Sequence, residues 1–194
     1  MKTKLNLHPN HNIKMSSGLD FTYCPKCGTH LVKKQMDGML RNCCTKCGYI
    51  QYINPLPGVA VLVEKDHQLL IGKRSKESVE SGKWCLPCGF IEHGESYLDA
   101  ARREVFEETG LDVEITSLVG VSSNRINIDL HTMVTVLTAS VVNGTPQAGD
   151  DLVALTWIHK NTNMPEMAFE ADEYIIKKYF ENALTRIPID PHFG

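Results

Sequence analysis

Gly89-Phe90-Ile91-Glu92-His93-Gly94-Glu95, then seven residues, then Arg103-Glu104-Val105-Phe106-Glu107-Glu108-Thr109-Gly110-Leu111, is the stretch that decides how the rest of the chain is read. Ser96 can cap a helix start and Gly110 can follow its end, so the pattern predicts a helix over 96–109. With Glu104 set at 0° and about 100° per residue, Glu107 falls near −60° and Glu108 near +40°. Three carboxylates then share one arc of roughly 100°, with Arg103 beside them. Leu98, Ala101 and Val105 form an adjoining stripe that can face a core. A solvated face laced with ion pairs is the ordinary reading of such a charge run. Here no Lys stands four residues after any of the three acids. Hard oxygen donors on one rigid helix instead suit Mg²⁺ or Mn²⁺, which keep several waters and bind phosphate oxygens.

Outward from the helix, the pattern turns to strands. Val59–Glu64 is an apolar run, Lys65-Asp66-His67 a turn, and Gln68–Arg74 a second strand. Trp84–Ile91 is compact and interrupted by glycine. Two further β-rich runs lie near Glu114–Ser122 and His131–Val142, with Asn143-Gly144 as a strong turn signal. Ala154–His159 is a last strand candidate. Glu170–Leu184 spaces Ala171, Tyr174, Ile175, Lys178, Tyr179 and Ala183 as an amphipathic helix does. Strands and helices mix without a repeating βαβ pattern, so the expected class is α+β, a sandwich rather than a doubly wound parallel sheet.

Seven cysteines sit in a chain with no apolar leader at its start and no run long enough for a membrane helix, so a reducing, cytoplasmic setting and metal ligation are expected. Cys24-Pro25-Lys26-Cys27-Gly28 and Cys44-Thr45-Lys46-Cys47-Gly48 repeat one device. Between them Asp37-Gly38, flanked by Leu31–Gln35 and Met39–Asn42, reads as a hairpin turn that brings the two knuckles together. The spacing predicts a tetrahedral Zn²⁺ site of Cys24, Cys27, Cys44 and Cys47, closed and therefore structural. Cys43 and His30 are the alternative ligands, and redox activity of either pair is the alternative chemistry. The predicted layout is a mobile tail over 1–20, a ribbon over 21–55 and a larger domain over 56–194. His8 and His11 in the tail could bind a metal. The ribbon carries five basic residues against one acidic, while the chain as a whole is at −3, so the larger domain is acidic. That balance argues against a nucleic-acid partner.

Gly89, Glu95, Arg103-Glu104-Val105, Glu107-Glu108 and Gly110-Leu111 match the Nudix box at each of its nine defined positions over 23 residues. With Gly82-Lys83-Trp84-Cys85-Leu86-Pro87 ahead of the box and a four-cysteine ribbon ahead of that, residues 21–180 resemble the zinc-ribbon branch of the Nudix hydrolases. NADH pyrophosphatases and the plant-type FAD and ADP-ribose pyrophosphatases belong to that branch. The resemblance implies an α/β/α sandwich with a mixed sheet. It implies hydrolysis of the pyrophosphate bond in a nucleoside diphosphate linked to another moiety: ADP-ribose, FAD or an NADH-like compound. Glu104 and Glu108 would then be the main Mg²⁺ or Mn²⁺ ligands, Glu107 a ligand or base, and the Gly89 carbonyl a further ligand. Glu95 and Arg103 would support them, with Arg103 fixing the carboxylates. Asp151, ahead of a late strand, is placed as an extra ligand or base, or else as a plain loop carboxylate.

The chain also departs from its relatives. Cys88 stands where a small residue is usual; with Cys85 it reads as packing. The Ser-Gln-Pro-Trp-Pro-Phe-Pro run of NADH pyrophosphatases is missing after Leu111, where Ser122-Ser123-Asn124-Arg125 stands. That favours ADP-ribose or FAD over NADH. Tyr52, Phe90, Tyr97 and Phe169 are candidates to stack on an adenine. Removal of a nucleotide cap from RNA, and a non-catalytic nucleotide-sensing or nucleic-acid-binding module, are the competing functions. The expected partner is a small-molecule nucleotide, and the resemblance adds the expectation of a homodimer.

Overall fold

The computed structural model describes residues 20–125 and 130–190. The tail with His8 and His11 lies outside the described residues. The chain divides into two compact units: among the described residues the first holds 20–54 and Leu130, and the second 55–125 and 131–190.

The first unit is built on an antiparallel hairpin, β1 (Val32–Met36) and β2 (Met39–Cys43). Asp37 and Gly38 have φ of 49° and 79°, so both central residues adopt the positive φ of a primed hairpin turn. Its buried core is small: Cys24, Leu31 and Cys44, with Cys27 and Tyr49 packed against them.

The second unit holds strands β3 (Leu56–Lys65), β4 (Gln68–Arg74), β5 (Trp84–Cys85), β6 (Cys88–Phe90), β7 (Leu111–Arg125), β8 (His131–Gly144), β9 (Leu152–Ile158) and β10 (Ile187–Pro188). They form one mixed sheet in the order β10-β7-β8-β3-β4-β5, with β6 also on β3 and β9 also on β4. β3 runs parallel to β8; every other pairing is antiparallel. The helices are α1 (Tyr97–Thr109) and α2 (Glu170–Phe180).

Residues alternating along β3 assign the layers. Val59, Val61 and Val63 bury against Leu98, Ala101 and Val105 of α1. Leu62 buries with Ile175 and Ile176 of α2. Since successive side chains of a strand point to opposite faces, the two helices cover opposite sides of the sheet. This is the α/β/α sandwich that the sequence predicts.

Helix α1 begins and ends where its sequence says. The Ser96 hydroxyl accepts from the Asp99 N–H at 3.1 Å, and Gly110 takes the left-handed conformation with its N–H on the Phe106 carbonyl at 2.8 Å. Two expectations are corrected. Asn143-Gly144 makes no hairpin turn. It is the paired end of β8, opposite Asp112 and Leu111, and the chain goes on to β9 on the far side of the sheet. Gly144 is needed there because a Cβ would overlap the Gly110 carbonyl oxygen. The last helix stops at Phe180, four residues before the predicted Leu184, and Asn182 turns the chain with φ of 53°. Leu184 still packs on the α2 side of the core, which is why the apolar spacing runs past the helix end.

Candidate active site

The site lies where α1 passes under the segment Trp84–Phe90. Arg103 is its organiser. Nε donates to Glu95 Oε2 at 3.1 Å and Nη2 to Glu95 Oε1 at 2.6 Å, a bidentate pair. Nη1 donates to Glu104 Oε1 at 2.7 Å and to Glu107 Oε2 at 3.0 Å. Nη2 also donates to the Phe90 carbonyl at 2.9 Å. One guanidinium thus fixes three of the sequence-predicted acids and the end of β6, the strand that carries Gly89. The hydrogen bonds from Arg103 hold the Glu95 carboxyl below the usual carboxylate range, assisted by the Glu92 N–H.

The acids differ sharply in environment. Glu104 and Glu108 are buried, at 8 % and 1 % exposure, while Glu107 faces solvent. Burial pushes the Glu104 carboxyl up; Arg103 offsets part of this, and the charges of Glu107 and Asp150 add to it. Burial pushes Glu108 up further, against the single N–H that Cys88 donates to its Oε2 at 2.9 Å. The Glu104 carboxyl group occupies the space where a Cβ on Gly89 would stand. Two buried carboxylates one helical turn apart, without a full complement of donors, are a donor set that suits a hard divalent cation. The three helix carboxylates do not converge within 4.8 Å of one another; among the described residues only Cys24, Cys27, Cys44 and Cys47 do so. Arg103 Nη1 links Glu104 to Glu107, while Glu108 turns to the Cys88 N–H.

Gly89→Ala therefore tests the site with little effect on the fold. The atoms nearest the added methyl are those of the Glu104 carboxyl, the end of a flexible side chain, so Glu104 should swing away and the protein stay folded. The expected result is kcat down by about 10- to 100-fold, the range for disturbed ligand positioning, with an unchanged far-UV spectrum. Wild-type kcat would show that the close approach of Gly89 and Glu104 is unimportant.

The other predicted residues are placed as follows. Asp151 pairs with buried Arg74 at 3.4 Å and is half exposed. Its neighbour Asp150 is the loop acid whose charge reaches Glu104. The loop that carries both closes the C-terminus of α1, with Gln147 N–H on the Thr109 carbonyl at 2.8 Å and Gly149 N–H on the Glu108 carbonyl at 3.1 Å. Phe169 lies under the Arg74 guanidinium and Tyr97 packs on the core, whereas Phe90 is exposed beside the site. Tyr52 belongs to the first unit and stacks with Arg41. Sequence reasoning missed Asp172, a buried acid of α2 that accepts from the Leu86 N–H at 3.0 Å.

In the first unit, Cys24 and Cys47 sulfurs lie 3.5 Å apart, as do those of Cys27 and Cys44. A tetrahedral ion with bonds of about 2.3 Å separates its sulfurs by about 3.8 Å, so the four thiols fit such an ion closely. Thr29 lowers the Cys27 thiol to about 6 through hydrogen bonds, which favours the ligating thiolate. Cys43 turns instead to the Met36 sulfur at 3.3 Å.

The family model of the NUDIX domain matches residues 54–179, most of the chain. The chain belongs to the Nudix hydrolase family. Among its Nudix relatives, an ADP-ribose pyrophosphatase of Methanocaldococcus jannaschii is 39 % identical over 132 residues, covering 68 % of this chain and 76 % of that one. An NAD-capped RNA hydrolase of Haemophilus influenzae is 36 % identical over 93 residues, covering 47 % of this chain and 34 % of the relative. The match thus spans about a third of that protein's length. The crystal structure of a NUDIX hydrolase from Nitrosomonas europaea superposes with a TM-score of 0.74 at 28 % identity, over 84 % of this chain and 92 % of that one. Among the described residues no helix is long and apolar enough to cross a membrane.

Proposed function

We propose that this Nudix hydrolase cleaves the pyrophosphate bond of a nucleoside diphosphate linked to a second moiety, with ADP-ribose the preferred type, using Mg²⁺ or Mn²⁺. The carrying observation is the pair of buried acids, Glu104 and Glu108, set one turn apart on α1 with Gly89 against the first of them. The likeness to the ADP-ribose pyrophosphatase over two thirds of the chain supports the substrate class.

In this reading Glu104, Glu108 and the Gly89 carbonyl would hold the divalent cation, with Glu107 a further ligand or the base. The bound ion supplies Lewis acidity toward the phosphate oxygens and lowers the pKa of the attacking water. Arg103 keeps Glu104 and Glu107 in place by hydrogen bonds, and Glu95 orients Arg103 in turn. Glu107 and Asp151, both open to solvent, are the carboxylates able to take the proton of the attacking water. The four thiols of the ribbon hold a structural Zn²⁺ and take no part in the chemistry.

Product analysis tests the reading. ADP-ribose should give AMP and ribose 5-phosphate in equal amounts, with no orthophosphate until a phosphatase is added. FAD, NADH and an RNA bearing an NAD cap complete the panel. Preference for the capped RNA would favour the second reading, which the likeness to the NAD-capped RNA hydrolase supports over a shorter stretch. Direct release of orthophosphate, or no cleavage of any compound with either metal, would refute the proposal.

A further inference from the structure

The turn Leu86–Cys88 is gripped from both sides of the sheet by carboxylates. Glu108 of α1 accepts from the Cys88 N–H at 2.9 Å, and Asp172 of α2 accepts from the Leu86 N–H at 3.0 Å. The two helices cover opposite faces, and this turn, between β5 on β4 and β6 on β3, is bonded to an acid from each of them. Both acids are buried, at 1 % and 4 % exposure. A buried carboxylate is a costly way to tie down one backbone N–H. Asp172 also sits on the apolar stripe of α2, on the same side as Ile175, Ile176 and Tyr179, where packing alone calls for an aliphatic residue.

We infer that Asp172 is a positioning residue for Glu108: its carboxylate fixes the Leu86 N–H, and so sets where the Cys88 N–H, two residues on, holds the Glu108 carboxylate. The relay is short. Pro87 has no N–H to offer and its fixed φ stiffens the link between the two gripped amides. The Pro87 carbonyl accepts from the Val61 N–H at 2.9 Å, which pins the middle of the turn to β3. Gly89, against which Glu104 rests, follows directly, so a shift of the turn displaces the contacts of both acids. Burial disfavours the charge of both Asp172 and Glu108, and the Arg74 guanidinium offsets part of that cost; its Nη1 lies 3.7 Å from the Cys85 sulfur just before the turn. An acid that merely fastened α2 to the sheet would leave Glu108 and the metal site unaffected.

This inference rests on the proposed role of Glu108, and the experiment separates the two. Wild type, Glu108→Gln, Asp172→Asn, Asp172→Leu and the double variant Glu108→Gln with Asp172→Leu are compared in three measurements: amide hydrogen exchange of Leu86 and Cys88 in the metal-free protein, Mn²⁺ affinity, and kcat with KM on ADP-ribose. Asp172→Leu, which has the shape but no acceptor, should speed exchange at both amides. It should also weaken Mn²⁺ binding and lower kcat by about 10- to 100-fold with KM little changed, as loss of a group supporting a metal ligand does. Asp172→Asn keeps an acceptor oxygen and should restore most of the Mn²⁺ affinity and kcat. In the Glu108→Gln background, Asp172→Leu should cost little more, because the two act through one group. If Asp172→Leu does not fold, Asp172→Asn decides: recovery supports the acceptor role, and damage as large as that of Glu108→Gln overturns it. A folded Asp172→Leu with wild-type Mn²⁺ affinity and Cys88 exchange overturns it as well, while full activity of Glu108→Gln would instead refute the role of Glu108.

Discussion

Glu108→Gln and Glu104→Gln should each lower kcat by about 10²–10⁴-fold, the loss expected when charge stabilisation or base assistance is removed, and neither should lower the melting temperature. The reason lies in what the fold already tolerates. Glu108 is 1 % exposed and burial disfavours its charge, so an amide of the same shape relieves a cost. The amide oxygen can still accept the Cys88 N–H. Glu104 is likewise disfavoured by burial and by the charges of Glu107 and Asp150, and Gln there keeps an acceptor for Arg103. Arg103 stays anchored by its bidentate pair with Glu95 in both variants. The measurement is kcat against Mg²⁺ concentration, beside melting temperature with and without metal. In the metal-free protein the variants should melt at or above wild type, and added Mg²⁺ should raise wild type more than either. Near wild-type kcat in both would remove the metal-site assignment. Asp151→Asn should cost less, since Asp151 is half exposed and meets Arg74 rather than the helix acids. If it alone is inactive with metal binding intact, the base lies in the loop.

How much of this was legible in the sequence follows from how local each signal is. Helix α1 is legible to within a residue because its cap, its stop and its buried stripe are all local to it. The turns at Asp37-Gly38 and Asp66-His67 were equally local, and both adopt positive φ. The parallel pairing of β3 with β8 joins residues 76 positions apart, and no spacing rule announces it. Asn143-Gly144 misled because the dipeptide suits a hairpin, yet its glycine serves a close approach to Gly110 instead. In the site, the helical wheel placed the carboxylates on one arc but could not say which would be buried. The strand that lies over them decides that, burying Glu104 and Glu108 and leaving Glu107 exposed. Asp172 did leave a trace: an acid standing three and four residues before Ile175 and Ile176, on the apolar face of its helix. That mismatch between pattern and residue marks a buried charge with a task.

Cys47→Ser should abolish the zinc binding proposed for the ribbon and unfold that unit, while Cys43→Ser should do neither. The apolar cluster of the first unit is small, Cys24, Leu31 and Cys44 with Cys27 and Tyr49 against them, far too little to hold some thirty residues against their conformational entropy. What remains is the ion: structural zinc sites of this ligand type bind with apparent free energies of about 10–16 kcal/mol, and that binding energy is the folding energy. Each sulfur of the set touches a sulfur of the other knuckle, Cys24 with Cys47 and Cys27 with Cys44, so removing one ligand opens the link between the two ends of the hairpin. Cys43 is buried too, but its sulfur turns to Met36 and the Arg41 carbonyl, and Ser can keep the carbonyl bond. Elemental analysis of the purified variants gives the count: one zinc per chain for wild type and Cys43→Ser, none for Cys47→Ser. Limited proteolysis should then cut Cys47→Ser within residues 21–54 while the Nudix domain resists. Full zinc retention by Cys47→Ser, or its loss from Cys43→Ser, would show that a different set of sulfurs holds the ion.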